Sequence, residues 1–327
     1  DSVSYDDDEP WPPAADGHGS IPGRGSSLER LCLEKPAGRV DNWEASPPDQ
    51  ATPGRENSKK ACALRPVALS VARVPEKVGP DQPVRVQVDL CCGSEDPGEL
   101  VVAFWWSRQF AQPETIARMP LEPQGRLYQA SIPGFPAGTI VRWRIERRAG
   151  EGWTVLAPRS TDPRFLNWYG YFVPPRNTSL LPVYHIFMRP EDWTLLNRFA
   201  ARGRTEGYEV LPDWNKTVPA LFAEESKLYE VKVRYQGSPW HRTDGFDITE
   251  KFSCPGPASA AGEDRLRILS LRIAFPRYDR FKGKEVVILN KVHETQSEKL
   301  FYHGLQTVFG YKLFALAGVP APNARYV

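Results

Sequence analysis

Between residues 84 and 146 the chain repeatedly alternates apolar and polar side chains with a period of two. Val84, Val86, Val88 and Leu90 stand on one side of the alternation, and Arg85, Gln87 and Asp89 on the other. The same period returns in Tyr128, Ala130 and Ile132, then in Val141, Trp143 and Ile145 set against Arg142, Arg144 and Glu146. Successive side chains of a strand point to opposite faces, so this period buries one face of a sheet and cannot lie along a helix. A further run, "ELVVAFWWS", is apolar and strand-like, and turn-forming clusters "GSEDPG", "EPQG", "GFPAG" and "RAGEG" separate the runs. Short strands with regular turn signals predict an all-β antiparallel sandwich, immunoglobulin-like or fibronectin-like, over residues 64–175.

Residues 1–63 read differently. They hold eight Pro and six Gly with hardly any apolar periodicity. Such a composition buries too little apolar surface to offset its ordering entropy, which predicts a disordered tail or linker. Within it lie Cys32 and Cys62, two of five cysteines. They can pair if the compartment is oxidising, whereas adjacent Cys91 and Cys92 are read as buried or free thiols, because vicinal disulfides strain the backbone. The cysteine spacing is not a CxxC framework and no HExxH occurs, so no metal site is assigned.

Charge narrows the partners only by exclusion. With 42 basic and 40 acidic residues the formal net charge is +2, which offers no global attraction for nucleic acid or an anionic membrane. No apolar run is long enough to span a bilayer, and the acidic start, Asp6 to Pro10, lacks the features of a signal peptide. Asn177-Thr178-Ser179 and Asn215-Lys216-Thr217 match the glycosylation sequon, which has meaning only in a eukaryotic secretory protein.

Five tryptophans, Trp105, Trp106, Trp143, Trp153 and Trp168, fall in the sandwich region. Alternation turns one of Trp105 and Trp106 inward and the other outward. Aromatic side chains supply much of the buried area of a core, so packing competes with a sugar-stacking platform as their role.

Residues 176–327 are predicted to be α+β. "LPVYHIFM" reads as a buried strand. "RPEDWTLLNRFAARG" reads as a helix, with Pro190 at its first position, Glu191 and Asp192 in its first turn, an apolar stripe of Trp193, Leu196 and Ala200, and Gly203 as its stop. "KLYEVKVRYQGSPWHR" alternates like a strand entering a turn, "LRILSLRIAF" and "EVVILN" read as strands, and a last helix carries Leu305, Val308, Phe309, Leu313 and Leu316 up to Gly318.

Three motifs in this region, in order, resemble the CotH kinase family, named for spore coat protein H and related by fold to secretory-pathway kinases. They are "VKVRYQG" (Val231 to Gly237), the set Phe281, Gly283, Lys284, Leu289 and Asn290, and "GVPAP" (Gly318 to Pro322). The resemblance covers about residues 180–327 and implies the small lobe of an atypical kinase. Such an enzyme transfers phosphate from ATP, with Mg²⁺, to Ser or Thr of coat or cell-surface proteins outside the cytoplasm. It also implies catalytic acids after "GVPAP", in a further lobe beyond Val327, so that this chain alone is inactive. No HRD-like triplet is present, and Asp244 to Asp247, "DGFD", is not DFG.

By resemblance the ATP-binding candidates are Gly237, Ser238, Arg272 and Asn290. Gly237 and Ser238 can close a flexible hairpin over phosphates or form a plain turn. Arg272 stands where the family's basic strand carries a Lys; its guanidinium can pair with phosphate, or it can be a solvent-facing strand residue. Asn290 matches the family's "LN" and can equally be structural. This sequence departs from the family at Leu269, Gln236 and Gln306, where basic residues are usual. Two other functions remain open: a non-catalytic adhesion or coat-assembly protein with the same fold, and a carbohydrate-associated sandwich.

Overall fold

A computed structural model describes residues 3–5, 10–12, 15, 26–47, 50–52, 54–62, 64–91, 97–110, 115–159, 168–177, 181–205, 215–236, 270–276, 279–289, 311–317 and 319. The chain forms two compact units. The first is Asp1–Arg176 with Glu225–Leu228 and Pro276–Asp279, and the second is Asn177–Glu224, Tyr229–Phe275 and Arg280–Val327.

The first unit is ordered earlier in the chain than composition predicts. Composition predicts a disordered tail over residues 1–63, yet strands β1 (Leu28–Arg30) and β2 (Trp43–Ala45) pair antiparallel there, with Leu28 opposite Ala45. Cys32 and Cys62 form a disulfide that closes the segment, their Cα atoms 4.8 Å apart. Polar bonds do the work that an apolar core does elsewhere. The fully buried Asn42 accepts from the Cys32 amide at 2.8 Å and donates to the Cys32 carbonyl at 2.9 Å. Glu29, also buried, accepts from the hydroxyls of Thr52 and Ser58 at 2.8 and 2.7 Å. A count of apolar residues registers neither the cross-link nor these bonds.

Two antiparallel sheets follow, in which Val84–Cys91, Leu100–Ser107, Leu127–Ile132 and Thr139–Ala149 are strands where the sequence predicts them, and five further strands join them. One has the order β3 (Val67–Val74), β4 (Val84–Cys91), β8 (Leu127–Ile132), β7 (Glu122–Gln124). In the other, β6 (Ala117–Pro120) pairs β5 (Leu100–Ser107), which pairs β9 (Thr139–Ala149). Two short strands share the remaining edge of β9: β10 (Gly152–Ala157) lies along Ile145 to Ala149, and β11 (Tyr169–Val173) along Thr139 to Trp143. The inner faces share one core in which Val84, Val86, Val88 and Ile132 meet Val102, Phe104, Val141, Trp143 and Ile145. Each such side chain contributes roughly 1.5–3 kcal/mol relative to remaining exposed.

The outward face of β9 is polar but not wet. Arg142 and Glu146 are 2 % and 0 % exposed, and Glu146 forms ion pairs with Arg118 at 2.9 Å and Arg144 at 2.5 Å. At the Glu225–Leu228 segment, Ser226 accepts from the Val78 amide at 2.8 Å, and Lys227 pairs with Asp279 at 3.1 Å.

The second unit is an antiparallel sheet with the order β12 (Tyr184–Phe187), β13 (Val218–Glu224), β14 (Lys227–Tyr235), β15 (Leu271–Ala274), β16 (Val286–Leu289). Helix α1 (Pro190–Thr205) places Leu196 in the sheet's core beside Val218, Phe222, Val231, Val233 and Ile273. Arg189, preceding the helix, donates to Asp192 in its first turn. Two sequence expectations shift. α1 runs two residues past Gly203, because glycine costs a helix only about 1 kcal/mol and stops it only where a cap forms. The residues of β12 are half-buried rather than buried, as suits a strand at the sheet's edge. Residues 311–316 are helical, with Leu313, Phe314 and Leu316 exposed.

Candidate functional site

The strands β14 and β15 build the site. In β14 the odd positions Tyr229, Val231, Val233 and Tyr235 enter the core, which turns Lys232 and Arg234 to the opposite face. In β15 Ile273 is buried, which turns Arg272 to that same opposite face. The antiparallel register sets Arg234 directly against Arg272, and Lys232 against Ala274. On the other side of β15, Arg272 lies opposite Ile288 of β16.

Arg234 is held by neutral acceptors. It donates from Nη1 to Asn215 Oδ1 at 3.0 Å and to the Tyr235 carbonyl at 3.2 Å. Partial burial, then the charge of Arg272, holds its guanidinium below the usual arginine range. Among the described residues the Arg272 side chain has no hydrogen-bond or ion-pair partner, and that of Lys232 has none either. Three other cations of this unit are neutralised: Lys282 by Glu224, Arg280 by Glu285, and Arg189 by Asp192.

The motif residues Phe281 and Gly283 have a structural task. Phe281, 3 % exposed, is ringed by Tyr184, Phe222, Tyr229 and Phe275 at centroid distances of 5.6, 5.2, 5.7 and 5.3 Å. Its backbone exchanges hydrogen bonds with Lys284 across a two-residue turn. Lys282 and Gly283 both have positive φ there, 49° and 75°, the conformation that a two-residue hairpin requires and glycine adopts without cost.

Of the four ATP-binding candidates, Arg272 lies half-buried on the site's face. Gly237, Ser238 and Asn290 lie outside the described residues. Arg234 and Lys232 are legible in "VKVRYQG", where alternation puts both on one face, although the resemblance points only to its glycine. Cys32, Cys62 and Glu34 gather ligand atoms within 4.8 Å, but the disulfide consumes both sulfurs, so they cannot act as thiolate ligands while it is intact.

The sandwich tryptophans are mostly occupied. Trp105 and Trp143 are each 3 % exposed, and Trp106 is 51 % exposed. The order is the reverse of simple inside-outside logic. Trp105 shares the outward-facing set with Val101 and Ala103, all buried, while Trp106 follows Phe104 on the core side at the strand's end and packs on Phe135 at 4.9 Å. Guanidinium groups lie over the other rings: Arg118 and Arg148 at 5.2 and 5.3 Å from Trp153, and Arg144 at 4.1 Å from Trp168. Cation–π contacts of this kind take up the ring faces that a sugar would stack on. Among the described residues no helix is long and apolar enough to cross a membrane. No protein-family model matches the chain, and no curated protein matches it.

Proposed function

We propose that the second unit is the phosphate-facing small lobe of a CotH-like atypical protein kinase that acts on Ser or Thr of coat or cell-surface proteins, with ATP and Mg²⁺. The observation that carries this reading is Arg272, a cation on the face opposite the core without a carboxylate partner among the described residues. Phosphoryl transfer spreads negative charge over the transferred group, and fixed cations aimed at it are the part of the machinery that a small lobe supplies. The described residues of the first two motif segments occupy β14 and the turn into β16, within one sheet, while the third segment, Gly318 to Pro322, lies outside the described residues apart from Val319. The carboxylates that hold Mg²⁺ and position the acceptor hydroxyl are assigned to no residue of this chain.

The accompanying sandwich we read as immunoglobulin/fibronectin-like. Its first sheet holds β3, β4, β8 and β7, and in its second sheet the chain crosses over from β5 and β6 to β9 by way of the first sheet, with β10 and β11 sharing the last edge. The Cys32–Cys62 bond supports an extracytoplasmic setting, since structural disulfides persist in oxidising compartments.

Calorimetric titration of the whole chain with ATP and Mg²⁺ tests the proposal. Saturable binding that Arg272→Gln weakens is expected. An absence of binding at millimolar nucleotide, or binding indifferent to that substitution, overturns it.

A further inference from the structure

Two guanidinium groups meet on β14 and β15 for no purpose that the fold itself explains. Directly opposed residues of an antiparallel pair have Cβ atoms about 4.5–5.5 Å apart, and like charges at that spacing destabilise the sheet. Arg234 and Arg272 are such a pair. A chain selected only for folding has simple remedies, such as a carboxylate on the neighbouring strand. Here the residue beyond Arg272 is the apolar Ile288, and the acceptors bonded to Arg234 are an amide oxygen and a carbonyl.

The rest of the face reinforces the imbalance. Lys232 lies two residues from Arg234 on the same side of β14, about 7 Å along the strand. The nearest acid of that strand face, Glu230, lies on the far side of Lys232 from the arginines. Three cations therefore share one face, Arg272 across the pair from Arg234 and Lys232 along the strand from it, and Arg234 is orientated by Asn215 before any ligand arrives. Arginine forks pair with phosphate oxygens through two parallel bonds, and a fork already fixed in place loses little freedom on binding.

We propose that Arg234 and Arg272 form a single phosphoryl clamp, extended along the strand by Lys232, whose ligand is an oligophosphate chain of the kind that ends a nucleoside triphosphate. The clamp deepens the kinase reading and rests on it for the nucleoside part of the ligand, but not for the phosphate chemistry. Arg234 thereby becomes a binding residue beside Arg272, and Asn215 a positioning residue.

The test is titration of the whole chain with inorganic tripolyphosphate at low ionic strength, where exposed charges are least screened. The parent chain is expected to bind, and Arg234→Gln and Arg272→Gln each to weaken binding about tenfold or more. A second readout separates this from misfolding. Without ligand, Arg272→Gln should melt no lower than the parent, because the substitution removes a repulsion. No binding of tripolyphosphate by the parent, or equal binding by both variants, overturns the clamp. If ATP with Mg²⁺ binds while Arg234→Gln leaves it unchanged, the clamp fails and the kinase reading survives. If the variants lose tripolyphosphate but ATP binds the parent no more tightly than tripolyphosphate does, the clamp stands and the nucleotide reading fails.

Discussion

Replacing Phe281 by Ala asks whether the motif around it is architecture or chemistry. The ring is 3 % exposed and lies against four others, stacked on Phe275 at 20° and edge-on to Tyr184, Phe222 and Tyr229. Truncating a buried Phe to Ala costs about 3–5 kcal/mol, the removed contacts and the residual cavity together. At 1.4 kcal/mol per tenfold, opening of this unit becomes roughly one hundred to several thousand times more frequent. Hydrogen exchange read by mass spectrometry on peptides from Lys227–Tyr235 and Leu271–Ala274 measures that opening directly. Phe281→Leu, which retains most of the volume, should lose far less protection. If Phe281→Ala leaves exchange of these strands within about threefold of the parent, the ring does not anchor the sheet and the packing argument is wrong.

Two further outcomes are expected. The Cys32–Cys62 bond closes a loop of 30 residues, which in the chain-entropy account is worth about 3.6 kcal/mol to the segment. Reduction or Cys62→Ser should therefore expose residues 27–62 to trypsin well before the sandwich is cut, and simultaneous cleavage of both would contradict this. His185 carries a pKa lowered by burial from 6.5, so the fold favours its neutral form. Its contribution is complete above pH 6.5 and is lost as pH falls through the depressed folded value, because the unfolded chain then binds more protons. Urea midpoints should drop between pH 8 and pH 5, and His185→Gln should flatten the drop; an unchanged slope in that variant would assign the effect elsewhere.

The sandwich was legible because alternation reports which way a side chain points. Val84, Val86 and Val88 are each 0 % exposed, as their period requires. Alternation does not report what covers the other side, and so Arg142 and Glu146, correctly turned from the core, gave no sign of being buried. The described residues of 26–62 escape a reading by composition for a related reason. Their order rests on Asn42, Glu29 and a covalent bond between residues 30 apart, and composition weighs none of these. In the candidate site Arg272 was reached through a family pattern, while Arg234 lay in plain alternation one strand away. Only the register between β14 and β15 makes the two a pair, and register across the intervening residues 237–269 is not written in either strand alone.

The divided partner of β9 has a consequence for association between chains. An exposed edge strand is a template for another molecule, and the hazard grows with the length of straight, unpaired backbone. Because β10 and β11 each cover only part of the eleven-residue β9, the outer margin beside the Ile145–Ala149 half is β10, a strand of six residues. It is also irregular, its pairing slipping between Val155 and Ala157. A second chain would find there a short, twisted rim that offers few consecutive bonds, and this margin of the sandwich is thereby shielded from sheet-to-sheet aggregation.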